Sequence, residues 1–396
     1  MPVNRIVVIT IIIFFISGCI EPFDPDINGF QESIVISGMV TNQTGYHYVY
    51  ISKTSPYDEA EKKVVEDCMV SISDNYDHIY NLEESSPGVY RCWIDSQYLE
   101  VGTRFRLYVK TVDGKTYLSD YDVIRPCPPV TRTYFEVKEQ STDDFFDYYG
   151  LQFYADIDAS EDTTKNFLCK IREAWEYHVT YPIRDYYDED GFHFLDMESE
   201  PEDSLFVCYS ENLRSEFFVF STSNLSSGII NRAKLHFVSN ETERLKYRYI
   251  YVVDQYSISD EAYLYWKNIR RLSEETGGLY ETQPQTIKGN IHNPDNPDEL
   301  VLGYFMATSM QTTKTVVDQL LPFQVPDKFE GCSLAGYTMT ELNQFLNGVS
   351  RSNYPIFLIN LTNTGEGPWD YAPQECFNCR LLGGDTKPPS IWVPIY

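Results

Sequence analysis

Arg104-Phe105-Arg106-Leu107-Tyr108-Val109 places an apolar residue at every second position. Successive side chains of an extended strand point to opposite faces. Phe105, Leu107 and Val109 therefore share a dry face, and Arg104, Arg106 and Tyr108 a wet one. The same period runs upstream, where Cys68, Val70 and Ile72 alternate with Met69, Ser71 and Ser73. Two further β-rich runs, Ser33–Val40 and Tyr46–Lys53, precede it, and turn signals fall at Asp74-Asn75, Ser86-Pro87-Gly88 and Asp113-Gly114. About seven strands in roughly 95 residues predict an immunoglobulin-like β-sandwich over residues 33–125. The sequence gives no cue for a disulfide pair packed on a core Trp, so the expectation concerns architecture alone.

Toward the C-terminus, Pro126-Cys127-Pro128-Pro129 reads as a stiff connector and a domain boundary. Beyond it a larger β-rich domain is expected over residues 130–396, a sandwich or a partly closed barrel. Its strands are expected at Leu151–Ile157, Phe167–Thr180, Leu205–Tyr209, Phe217–Phe220, Ile229–Val238, Leu245–Tyr256 and Pro355–Leu361. Tyr181–Asp203 reads as an acidic aromatic loop. Within it Asp185, Tyr186, Tyr187 and Asp188 are candidates to stack on a sugar or hold a cation, set against the plainer reading of a solvated loop. Two short helices are signalled. Ser259 caps one that carries Ala262, Tyr265, Trp266, Ile269 and Leu272 at helical spacing and stops at Gly277-Gly278. Thr338-Met339-Thr340-Glu341 forms a capping box for the other, which ends at Asn347-Gly348.

Toward the N-terminus, Arg5 precedes the unbroken apolar run Ile6–Ile16. As a helix that run reaches only ~16 Å, about half a bilayer core of ~30 Å. It therefore reads as the apolar part of an export signal over residues 1–18. Ile16-Ser17-Gly18-Cys19 looks like a lipobox, which predicts cleavage after Gly18 and lipidation of Cys19. Residues 19–32 follow as an acidic, Pro-containing tether. The chain carries a net charge of −28. Such a surface repels phosphate backbones, so no nucleic-acid partner is expected.

With Cys19 committed to lipid, eight of the nine cysteines remain. Cys376-Phe377-Asn378-Cys379 has redox spacing, but Pro373 before it and Gly383-Gly384 after it deny it the helix that a reactive thiol needs. An oxidising address favours two disulfides among Cys208, Cys332, Cys376 and Cys379 over a zinc site. The pairing stays open. The six histidines show no ligand spacing, and no nucleophile elbow, phosphate loop or dinucleotide fingerprint occurs. No catalytic residue, metal or cofactor is assigned.

The tail Ala372-Pro373-Gln374-Glu375-Cys376-Phe377-Asn378-Cys379-Arg380, followed by Gly383-Gly384-Asp385-Thr386-Lys387-Pro388-Pro389-Ser390-Ile391-Trp392, resembles the closing signature of a Bacteroidota family called domain of unknown function 4249. The lipobox with Glu21-Pro22-Phe23 resembles its start. Ile36-Ser37-Gly38-Met39-Val40-Thr41-Asn42-Gln43, Gly289-Asn290-Ile291 and Leu302-Gly303-Tyr304-Phe305 are also similar to it. The resemblance implies an outer-membrane lipoprotein with an immunoglobulin-like N-terminal part, of a kind often linked with TonB-dependent receptors. It transfers no catalytic residue. The leading expectation is thus a non-enzymatic, surface-facing lipoprotein that assists such a receptor in nutrient uptake. A structural or adhesive envelope protein and a polymer hydrolase are the alternatives.

Overall fold

A computed structural model describes residues 32–56, 63–141, 147–194, 205–275, 287–360 and 369–392. The leader, Cys19, the tether up to residue 31 and Gly277-Gly278 lie outside these ranges. The first strands are β1 (Ile34–Thr41), β2 (Gly45–Lys53), β3 (Lys63–Val64), β4 (Met69–Asp74), β5 (Ile79–Ser86), β6 (Val89–Ile94), β7 (Arg104–Lys110), β8 (Thr116–Ser119) and β9 (Asp122–Val123). β1, β2 and β6 make one face of a sandwich, and β4, β7 and β8 the other. β5 spans both, pairing with β4 through Ile79–Leu82 and with β6 from Glu83 on. This is an immunoglobulin-like arrangement. Phe105, Leu107 and Val109 are wholly buried in its core with Ile36, Val49 and Ile72.

The chain continues through β10 (Val130–Ser141), β11 (Asp147–Asp158), β12 (Asn166–His178), the hairpin β13 (Asp185–Asp188) and β14 (Gly191–Phe194), β15 (Val207–Ser221), β16 (Ile229–Ser239) and β17 (Tyr249–Ile258). Helix α1 (Asp260–Glu275) follows, and the Ser259 side chain caps it by accepting the Ala262 N–H at 3.0 Å. Next come β18 (Ile291–His292), β19 (Val301–Leu302), β20 (Phe305–Thr308), β21 (Met310–Val317), β22 (Ala335–Tyr337), α2 (Met339–Gly348), β23 (Ile356–Asn360) and β24 (Trp369–Tyr371). The Thr338–Glu341 capping box of α2 is formed in both directions.

Two sheets, β10-β11-β16 and β15-β12-β17-β21, face each other across an aromatic core in which Phe153 stacks on Tyr251 at 3.8 Å. They approach along one margin, where the Thr315 hydroxyl of β21 donates to the Thr133 carbonyl of β10 at 3.2 Å. The second module is thus a sandwich drawn partway toward a barrel. The reading of two separate strands at Leu205–Tyr209 and Phe217–Phe220 is corrected, because β15 runs unbroken across both. Its polar middle, Ser210–Glu216, looked like a loop because Asn212 and Arg214 turn toward a buried carboxylate rather than into apolar packing. The first part of the Tyr181–Asp203 loop is likewise corrected, to the hairpin β13–β14.

Residues 130–396 do not all stay in this second module. β19 and β20 add to β1 in parallel, and β18 pairs with β8. Both ends of the first sheet are therefore supplied by one short segment, and the sheet comes close to closing. β20 alternates between two cores: Phe305 and Ala307 enter the sandwich, whereas Tyr304 and Met306 pack with Leu168, Tyr256, Ile258 and the α1 side chains Ala262, Tyr265 and Trp266. One strand thus joins the modules by presenting each face to a different one.

A buried histidine gives the first module an acid limit. His47 is 3% exposed, its Nδ1 accepts the Thr41 N–H at 3.3 Å, and burial lowers its pKa to about 4. The unfolded chain takes up this proton near pH 6.5, so it binds more protons than the native state between 6.5 and 4. Stability from this residue is full above that window and falls as the pH drops through it. The expected loss between pH 7 and pH 5 is about 2 kcal/mol. Denaturant unfolding at the two pH values should show it in the parent and not in His47→Phe; an equal loss in both would exclude His47 as the source.

Candidate functional site

The hairpin β13–β14 is the edge of a third, smaller sheet, β14-β13-β23-β24-β22, with α2 packed on it. Strand alternation splits the sequence candidates between its faces. Tyr187 turns inward, edge-on to Phe192 at 4.9 Å and to Tyr354 at 5.6 Å, and packs near the buried Leu342 and Trp369. Asp185 alternates onto the Tyr187 side. Tyr186 and Asp188 instead line an open groove of about 490 Å³ with Glu189, Arg351, Tyr354 and Phe357. Of the four candidates the structure brings two together at one site.

Tyr186, part of that groove's wall, lies flat against His193, with centroids 4.5 Å apart and planes 11° off parallel. His193 Nε2 is 2.8 Å from Asp188 Oδ1, which also accepts the Asp190 N–H at 2.9 Å. Desolvation alone would raise the Asp188 pKa. The hydrogen bonds from His193 and from the backbone outweigh it, so the carboxyl stays ionised below its ordinary range. A backed aromatic face, a fixed carboxylate and the Arg351 guanidinium around one hollow suit a polar ring such as a sugar, with stacking on one side and donors and acceptors on the rim.

The sequence held no signal for Arg351 and Tyr354, which lie far from Tyr186 in the chain. It did hold one for a second aromatic feature. Tyr46, Tyr48 and Tyr50 recur at every second position of β2, with the buried His47, Val49 and Ile51 between them. They form an exposed row, closed at one end by Trp93 edge-on to Tyr46 at 5.2 Å and by Arg91 lying 4.4 Å over the same ring. The cysteines resolve into Cys208–Cys379, with S–S 2.08 Å, and Cys332–Cys376, with S–S 2.23 Å. Cys376 and Cys379 thus bond to different partners and do not form a redox pair. Both bonds fasten the tail: Cys379 to β15, and Cys376 to the segment before β22. Cys68, Cys92, Cys127 and Cys169 are free thiols.

Among the described residues Glu173 is the carboxylate most deeply enclosed. It is fully buried inside the second module, where Tyr249 donates at 2.6 Å, Asn212 at 3.1 Å, Arg244 at 3.2 Å and Arg214 at 3.4 Å. These donors surround it as a structural ion cluster.

Among solved structures the chain is similar to the native conformation of Escherichia coli alpha-2-macroglobulin, at 9% identity and a TM-score of 0.16. That match covers 59% of this chain and 14% of the other, so the chain spans about a seventh of that protein. A second match is described as the complete structure of manganese lipoxygenase of Gaeumannomyces graminis and partial structure of zonadhesin of Komagataella pastoris. It stands at 10% identity and a TM-score of 0.15, covering 58% of this chain and 89% of that one. Neither carries an argument about fold or function. No curated protein matches. The family model described as "Domain of unknown function (DUF4249)" matches residues 20–314, and the chain belongs to that family.

Proposed function

We propose that this chain is a surface-exposed outer-membrane lipoprotein, anchored through Cys19, that captures a nutrient for a TonB-dependent receptor and catalyses no reaction. The observation that carries the capture reading is the hairpin groove, where the Tyr186–His193 stack, Asp188 and Arg351 surround an open hollow. The anchor is supported by Ile16-Ser17-Gly18-Cys19. The non-enzymatic reading extends the sequence, which carries no nucleophile elbow, phosphate loop or dinucleotide fingerprint.

The test is copurification of the full-length protein from detergent-solubilised outer membranes, followed by uptake measurements in cells carrying Tyr186→Ala. A stoichiometric receptor is expected. Losing a stacking face worth about 1–1.5 kcal/mol should slow receptor-dependent uptake at low ligand concentration by about tenfold. Recovery of matrix or capsule components in place of a receptor would favour the adhesive alternative. Uptake unchanged by deletion of the whole gene, for every nutrient tried, would overturn the proposal.

A further inference from the structure

β15 and β16 follow one another in the chain but are not paired with each other: β15 bonds to β12, and β16 to β11. Along the seam between them lies a groove of about 730 Å³. Each strand bulges at this level. On β15, Leu213 and Phe217 face Arg172 and Lys170, so Arg214, Ser215 and Glu216 stand opposite Ile171 alone. On β16, Lys234 and Phe237 face Tyr154 and Gln152, so Leu235 and His236 stand opposite Phe153 alone. A bulge re-aims side chains away from the regular pleat. Here the two bulges bring Glu216 and His236 together across the seam, Oε2 to Nδ1 at 2.6 Å. The Gln152 amide fixes the second bulge by donating to the carbonyls of Leu235 at 2.8 Å and His236 at 3.2 Å.

The lining runs against the character of the chain. In a protein of net charge −28, this groove gathers Lys138, Lys234 and Arg270 against Glu139 and Glu216. Lys138 shares Glu136 at 3.0 Å, whereas Lys234 is exposed and has no ion-pair partner among the described residues. The side chain of His236 is 12% exposed, and its Nε2 is buried without a hydrogen-bond partner. A buried polar atom left unpaired is destabilising by about 1–3 kcal/mol, which calls for a reason.

We propose that this seam is a binding site for a small oxyanion, a carboxylate or phosphate carried on a soluble ligand. Lys234 and Arg270 supply the positive field. With its ring in the cationic form, His236 donates through both nitrogens, from Nε2 to the ligand's anionic oxygen and from Nδ1 to Glu216. Glu216 offsets part of that positive field in the free protein. The inference is independent of the hairpin groove and of any receptor.

The experiment is calorimetric titration of the purified full-length protein in detergent with three probes: inorganic phosphate, a galacturonic acid disaccharide and the neutral galactose disaccharide. At least one charged probe is expected to bind, with the neutral sugar tenfold weaker or worse. Lys234→Gln, an exposed change that leaves the fold alone, should weaken that binding about fivefold, and His236→Gln about tenfold. Mutual displacement by both charged probes would show that the oxyanion itself is read. Binding of phosphate alone would assign the site to phosphorylated ligands, and of the uronate alone to carboxylated ones. The proposal is overturned if neither binds at millimolar concentration, if the neutral sugar binds as well, or if Lys234→Gln and His236→Gln leave affinity unchanged. None of these outcomes depends on receptor copurification or on Tyr186, so they leave the capture reading to its own test.

Discussion

Gly303→Ala is expected to destabilise the protein by about 3–5 kcal/mol, a large part of the stability of an ordinary domain. Gly303 sits at φ +96°, a backbone region that an L side chain enters only with strain. A Cβ there would fall 1.9 Å from the Ile36 carbonyl oxygen and 2.6 Å from its carbon. Both are backbone atoms of β1, in the interior of the first sheet, so no side chain can swing aside. The strand would have to move, and β19 and β20 on either side of Gly303 both pair with β1. Denaturant unfolding followed by tryptophan fluorescence should register the loss, because Trp266 contacts Met306 of β20. Gly348→Ala is the control: a Cβ there meets nothing within 4 Å, so the change should stay within about 0.5 kcal/mol. A Gly303→Ala protein within 1 kcal/mol of the parent would mean that this seam is softer than its geometry implies.

The same contact brings together three stretches of the family match that lie far apart in the chain. Gly289 lies where a Cβ would meet the Gly303 carbonyl oxygen at 1.6 Å. Asn290 accepts the Phe305 N–H at 2.9 Å and donates to the Phe305 carbonyl at 2.8 Å. Gly38 of β1 donates its N–H to the Tyr304 carbonyl at 3.1 Å. Residues 36–43, 289–291 and 302–305 therefore meet at one place. The sequence exposed them only as separate fragments, because pairing between distant segments has no local period. Where one face of a strand is dry and the other wet, as in Phe105-Leu107-Val109, alternation suffices, and the first sandwich was legible from it. Helix α2 was legible for the same kind of reason, since Thr338 and Glu341 are local partners.

What failed to show was chemistry supplied across the chain. Ser210–Glu216 resembles a loop until Glu173 is placed beside Asn212 and Arg214. The four disulfide cysteines could be selected by compartment, but their pairing depends on where β15 carries Cys208. Tyr186 and Asp188 were legible as residue types in an acidic aromatic stretch. Their separation from Asp185 and Tyr187 required knowing that the stretch is a strand. The His236–Glu216 contact had no sequence signal, because a bulge removes the regular spacing that a pattern search relies on.

Removing Glu173 should be the other large effect, with Glu173→Ala expected to lose about 3–5 kcal/mol. The carboxylate is fully buried, and Arg244 and Arg214 retain only 15% and 26% side-chain exposure. Deleting the acid would leave two largely desolvated guanidinium groups facing the Tyr249 hydroxyl without the carboxylate they share. Burial pushes the Glu173 pKa up, but the donors prevail and the net shift is downward, led by the Tyr249 hydroxyl and the Arg244 charge. Its folded pKa thus lies below the unfolded value, so this stability is present above the ordinary Glu range and is lost as the pH falls through the folded pKa. Glu173→Gln keeps the shape and some of the hydrogen bonds, and should lose about half as much. The cost arises from stranded partners rather than from the pair's own worth, and this has a testable consequence. Replacing Glu173, Arg214 and Arg244 together with methionine, with Tyr249→Phe, should recover most of the loss, because apolar packing of similar volume often equals a buried ion cluster. If instead the quadruple variant unfolds as readily as Glu173→Ala, the cluster stabilises the barrel in its own right and the stranded-charge account is wrong.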